Sequence, residues 1–351
     1  MRRRWIVLTV VAALVVAAAV VLVGRLLGGD RSRLAEALAL APSSAVRFSW
    51  TDWAGVREEL GAELSASSSG TDVDDLLAEA FDRDLSSTTA LDESAATLQE
   101  ELGFSPATID WELFTQGPDG AMVIMGLPDG FDLAGLRERL RAVGFSEPDD
   151  AAGVWRGGVD LLEGLGGPVT PELAALQVDE EAGLLVGSDD PAFLEQRADL
   201  ARGHDDDGVS EVADAVGSAL SAAVATGDQA CSSLAMTDAD PADRTRASEL
   251  VEQAGGVHPL TGFAIAARAG GEVRVAMAFE TEDQARADAD SRSRLAAGPA
   301  PGQGGSFPER FTLGKGDVVA SGRVLTMDLT PVEGSFVVSD LSHGPVLFAT
   351  C

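Results

Sequence analysis

Side chains able to do chemistry are sparse in this chain, and their spacing excludes more than it suggests. Histidine occurs singly at His204, His258 and His343, far apart and with two of the three in Gly/Pro-rich turns. No His-Glu-x-x-His sequence exists, which removes that class of zinc hydrolase. Lys315 is the sole lysine. A Ser-x-x-Lys pair fails because residue 312 is Thr, and a P-loop fails because residue 309 is Glu where the motif needs Gly. A Schiff-base lysine would have to be Lys315, flanked by Gly314 and Gly316 in what reads as an exposed turn. No Gly-x-Ser-x-Gly elbow is present, and the Gly-Gly pairs are turn residues with no dinucleotide fingerprint. No cofactor is implied.

Acidic clusters offer one sharper chemistry. Asp238, Asp240 and Asp243, or the run Asp205-Asp206-Asp207, carry the hard oxygens that Ca²⁺ prefers. Pro241 interrupts the first cluster and no bidentate Glu closes a loop. Helix capping by Asp240 and a solvated Asp linker explain both more simply. Pairs of carboxylates suited to glycoside hydrolysis cannot be singled out among so many acids. Trp50, Trp53, Trp111 and Trp155 would suit a binding groove, but three of them fall on expected strands, where core packing is the commoner role.

The two cysteines, Cys231 and Cys351, are expected to form one disulfide in an oxidising compartment. Closing so long a loop is worth ~4–5 kcal/mol in the chain-entropy model. Two buried free thiols are the alternative, because sequence gives no separation between the Cα atoms.

The compartment follows from the N-terminus. After Met1 and the arginines at 2–4, residues 5–24 carry no charge and are almost all Val, Ala, Leu or Ile. At about 1.5 Å of rise per residue, ~20 such residues match the ~30 Å hydrocarbon core. The three leading arginines outweigh the weaker, offset cluster of Arg25, Asp30, Arg31 and Arg33, which holds the N-terminus in the cytoplasm and sends the bulk of the chain across. A cleaved secretory signal is the rival; its apolar run is usually only ~7–15 residues, so length favours an uncleaved anchor. The lipid bilayer, met through residues 5–27, is thus the first expected partner.

All 57 acidic residues lie beyond residue 27, in a chain whose formal net charge is −32. Such a domain is soluble and repels nucleic acid and anionic head groups, so a nucleic-acid partner is not expected. Asn and Tyr are absent, and with Lys nearly so the set matches a GC-rich genome more simply than a function; salt adaptation is the alternative.

The elements that must position any site follow from periodicity and caps. Residues 1–4 are a cytoplasmic tail, 5–27 a transmembrane helix and 28–41 a helical stalk ending at Pro42. Residues 42–203 form a first α+β half, 204–227 a linker and helix, and 228–351 a second α+β half. In the first half a strand at 46–50 leads through Thr51-Asp52 into a helix, with two further amphipathic helices near 72–81 and 91–102. A hairpin joins 109–115 to 121–127, and a helix starts at Asp132. In the second half Cys231–Met236 is expected as a strand, followed by a helix opened by Asp240-Pro241. A hairpin then joins 261–268 to 272–280, the capping box Thr281–Gln284 starts a helix, and 346–350 is a closing strand. Both halves read strand, helix, hairpin, helix, strand. The expected fold is therefore α+β, with antiparallel sheets carrying helices on one face. The halves are either two duplicated β-α-β-β-α-β units or two segments alike by chance.

The stretch Leu40-Ala-Pro-Ser-Ser-Ala-Val-Arg-Phe-Ser-Trp-Thr-Asp-Trp53 and the closing Gly344-Pro-Val-Leu-Phe-Ala-Thr-Cys351 resemble segments of uncharacterised single-pass membrane proteins of high-GC Gram-positive bacteria. That resemblance implies an envelope location and carries over no activity and no site residue. The sequence therefore points to a membrane-tethered extracytoplasmic module that contacts an envelope protein or cell-wall component without catalysis. An envelope hydrolase using dispersed Asp/Glu, or a cation-dependent sensor, are the other readings.

Overall fold

The computed structural model describes residues 32–200, 207–314 and 316–351. The segments expected as tail and membrane span, residues 28–31 of the expected stalk, His204, Asp205, Asp206 and Lys315 lie outside the described residues. Among those described, no helix is long and apolar enough to cross a membrane.

The fold is α+β, built on one antiparallel sheet of twelve strands. Strand β1 (Arg47–Thr51) is followed by helix α1 (Trp53–Leu60) and helix α2 (Gly70–Asp82). An irregular helical stretch, ending in a π-helical turn at Leu98–Leu102, then leads into β2 (Trp111–Gly117) and β3 (Gly120–Gly126). Helix α3 (Leu133–Val143), β4 (Val154–Arg156), β5 (Ala175–Asp179), β6 (Leu184–Ser188) and helix α4 (Pro191–Glu195) complete the first half. The second half runs α5 (Asp207–Val216), β7 (Ser221–Thr226), α6 (Gly227–Ser233), α7 (Pro241–Ala254), β8 (Gly262–Ala267), β9 (Val273–Ala278) and α8 (Glu282–Ala296). Strands β10 (Phe311–Thr312), β11 (Val318–Ser321) and β12 (Val324–Pro331) and helix α9 (Val337–Leu341) close the chain.

Across the sheet the order is β10-β12-β9-β8-β7-β1-β2-β3-β6-β5-β4, with β11 also on β12. The first strands of the two halves pair with each other, Ser49 opposite Ala223. Outward from that pair the order is β1-β2-β3-β6 on one side and β7-β8-β9-β12 on the other, so strand order is symmetric about the seam. The halves share one sheet and do not form separate ones.

Alternation along the strands sends side chains to two cores. Val123, Met125, Phe263, Ile265, Val275 and Met277 face one core, beneath α1, α2, α3 and α8. Phe48, Trp50, Leu113, Ile124 and a run of alanines (Ala222, Ala264, Ala266, Ala276, Ala278) face the other, beneath α4 and α5. Helices therefore cover both faces, where one was expected. The first described helix, Arg33–Leu38, belongs to the second core: Leu34, Ala37, Leu38 and Ala41 are buried there, so this part of the expected stalk is packed on the domain.

Two strands expected in the second half are something else. Cys231–Met236 falls on α6 and a following turn, and residues 346–350 form a short 3₁₀ turn, Leu347–Ala349. The first strand of the half is instead β7, in the segment expected to be a linker and helix; the helix stops at Val216, with Gly217 at φ 69°.

Candidate functional site

The expected bond forms: Cys231 and Cys351 are joined, with their Cα atoms 5.3 Å apart, inside the range a disulfide can bridge. It ties α6 to the C-terminal turn and does not lock a sheet edge. Arg292, wholly buried on α8, reinforces the tie by donating to the carbonyl oxygens of Phe348, Thr350 and His258. Burial lowers its pKa, and Asp288, itself 1% exposed, opposes that from 2.7 Å. Asp288 also accepts from the His258 backbone N–H and lies 2.6 Å from His258 Nδ1. The His258–Asp288 contact thus pins a loop, and Arg292 holds the C-terminal turn beside it.

Several other residues singled out from sequence are similarly engaged. His343 Nδ1 meets the Ser342 hydroxyl. Asp240 caps α7 by accepting from the N–H groups of Ala242 and Asp243, and Asp243 accepts from Gly302 N–H. Among the described residues no group of three or more His, Cys, Asp or Glu has a metal-holding arrangement. Trp50 donates to Ala219 O and stacks on Trp111 at 5.5 Å, Trp53 donates to Glu112, and Trp155 lies under Arg141. Trp50, Trp53 and Trp155 are core residues; Trp111, half-buried, packs on the second core.

Glu112 is 1% exposed, and burial raises its pKa. Its two oxygens accept from Trp53 Nε1, the Thr89 hydroxyl and Ala90 N–H. Asp92, also raised by burial, borders a 270 Å³ cleft together with Thr89 and Ala90.

A larger cleft, of about 470 Å³, opens in the first half between α1, α3 and the loops that flank them. That size falls in the usual range for small-molecule sites, about 300–1,000 Å³. Leu64, Leu102, Phe131 and Leu136 supply its apolar lining, and Arg57, Arg139, Asp110, Asp129 and Asp132 its charges. Its wall is a Ser-rich loop that would be loose without Gln99. The buried Gln99 amide donates to Ser65 O, Ala66 O and Ser68 O, while its oxygen accepts from the Ser105 hydroxyl. Opposite, Asp132 caps α3 by accepting from Gly135 N–H and so fixes the loop carrying Asp129 and Phe131.

The two arginines differ from most in this chain and share with Arg294 a guanidinium bonded to carbonyl oxygens alone. Across the domain, arginines such as Arg137, Arg141, Arg156, Arg197, Arg274 and Arg323 hold carboxylates at ion-pair distance. Arg57 instead donates to the carbonyl oxygens of Pro106 and Ile109, and Arg139 to Glu100 O. Burial lowers the pKa of Arg57, and the fields of Asp110 and Asp52 oppose it without direct contact. Neither arginine stood out in the sequence, where each is one cation on an amphipathic helix. The only signal was an Arg three residues beyond an inward-facing leucine, Leu136 to Arg139.

No protein-family profile matches the chain, and no curated protein matches it in sequence. Among solved structures, crystal form I of TP0453 aligns over 87% of this chain and 96% of its own, with a TM-score of 0.39 and 8% identity.

Proposed function

We propose that this chain is a membrane-tethered binding module, held in the bilayer by residues 5–27 and displaying its acidic α+β domain outside the cytoplasm. In this reading the domain consists of two duplicated β-α-β-β-α-β units, and the first unit carries the ligand site. The observation that supports it is the open, apolar-lined cleft whose two arginines have no carboxylate partner. A cysteine bridge at the chain end fits an oxidising compartment. The ligand is an envelope component, and binding proceeds without turnover.

A hydrolase is the second reading, and Glu112 with Asp92 is what favours it, two carboxylates with raised pKa values near one cleft. Against it, Glu112 has both oxygens engaged by three donors and presents no free face to a substrate.

Two measurements test the proposal on the full chain. A reporter fused behind Cys351 is expected to be active only outside the cytoplasm. Peptide, ester and glycoside substrates are expected to show background turnover. Turnover that Glu112→Gln abolishes in a folded variant would transfer the site to the acidic pair and sink the binding-module reading.

A further inference from the structure

The charges around the large cleft are of both signs, and this narrows the ligand. We infer that the cleft receives a zwitterion with an apolar body, of the class of a short peptide with both termini free. The inference rests on the binding-module reading above and names its ligand class.

Arg57 and Arg139 line the cleft with guanidinium groups that have only backbone carbonyls as neutral acceptors. A guanidinium offers five N–H donors in a planar fork that suits a carboxylate. Arg57 Nη1 serves both of its carbonyls, and Arg139 uses Nη1 for its one, so both forks keep donors for a ligand.

Asp110 and Asp129 line the same cleft. Neither is in an ion pair among the described residues, although Asp110 acts on Arg57 through its field; the third acid there, Asp132, accepts from Gly135 N–H through one oxygen at the start of α3. A simple anion would meet these two carboxylates as well as the arginines, and it would approach a molecule of net charge −32. A simple cation would meet the two arginines. A molecule that carries a carboxylate and an ammonium satisfies both pairs and feels little of the overall field. In the same cleft Leu64, Leu102, Phe131 and Leu136 supply an apolar lining that a sugar would not match.

The test uses the full chain in detergent and four probes: leucyl-leucine, its N-acetyl form, its C-terminal amide, and the doubly blocked N-acetyl amide. Calorimetry is expected to show leucyl-leucine binding at least tenfold tighter than either singly blocked form. Arg139→Gln should weaken leucyl-leucine about tenfold and leave the amide unaffected, because the amide has already lost the carboxylate. Asp129→Asn should do the same against the N-acetyl form. Both positions are exposed, so the variants keep the parent melting temperature.

Equal affinity for all four probes overturns the inference, and so does an equal effect of the two variants on every probe. Tightest binding of the doubly blocked form overturns it too, yet leaves the binding-module reading standing. No binding of any probe at 10 mM (roughly the weak limit of a specific site) removes the ligand class, and the topology and turnover measurements then judge the module independently.

Discussion

Asp84 shows how one residue can join two halves and make the joint sensitive to pH. It belongs to the first half, yet its carboxylate accepts from the N–H groups of Val338 and Ser339 at the start of α9, 254 positions and more along the chain. Its φ of 58° places it in the left-handed region, where a short polar side chain is tolerated. Burial pushes its pKa up to about 6, and the two backbone donors only partly offset that. The folded state therefore binds this proton more tightly than the unfolded chain does. The resulting stabilisation is complete below the unfolded value near 3.8 and is lost as pH rises through about 6. The span corresponds to about 3 kcal/mol at most. Asp84→Asn keeps an acceptor for one N–H and removes the titration. The melting temperature of the parent is expected to fall between pH 5 and pH 7.5 by several degrees more than that of the variant. Parallel curves would show that Asp84 does not titrate in this window.

At the scale of elements, Gly103 sets the mouth of the proposed site. It ends the π-helical turn at φ 77°, and its N–H donates to Leu98 O. A Cβ there would lie 2.9 Å from Arg139 Nε. Gly61 ends α1 at φ 67° with nothing within 4 Å of the same imagined atom. Gly61→Ala should thus cost about 1 kcal/mol, the left-handed penalty alone. Gly103→Ala should cost up to about 1 kcal/mol more and also weaken ligand binding, because Arg139 must move. Denaturant titration of the two variants measures the difference; equal values would mean that Arg139 yields without loss.

The same scale shows what the sequence makes legible. The hairpin turn at Pro118-Asp119, the caps at Asp52, Asp132 and Asp240 and the capping box at Thr281 are local chemistry, and each stands where its residues put it. Strand β7 was not legible. Ser-Ala-Ala-Val-Ala-Thr has no polar alternation and high helical propensity, so it reads as a continuation of the helix before it. It is a strand because small residues are what the packing needs there. Helix α5 crosses the sheet so closely that a Cβ on Gly208 would fall 2.1 Å from Thr261 O, and the alanines of β7, β8 and β9 make room for it. The proposed site was illegible for a related reason: Arg57, Arg139, Asp110 and Asp129 come from four segments with no common spacing, and only the fold gathers them.

For the whole molecule, the pairing of β1 with β7 couples the stability of the halves, and the distribution of tryptophan makes this measurable. Every tryptophan lies at or before Trp155, whereas the disulfide joins two points of the second half. The bridge closes a loop of 120 positions, worth ~4–5 kcal/mol by chain entropy. A bond near Cys351 would influence the tryptophans through the continuous sheet, the cores on its two faces and cross-half contacts such as Asp84 with α9. If the halves melt as one unit, Cys231→Ser with Cys351→Ser lowers the melting temperature by roughly 5–15 °C, and tryptophan fluorescence reports the same shift as far-UV circular dichroism. If the halves were independent domains in contact, the fluorescence midpoint would stay in place while dichroism split into two transitions. A single coincident shift is expected, because melting the second half alone would strip β1 of a full ladder of backbone hydrogen bonds and open the apolar faces of Trp50 and Phe48 to water.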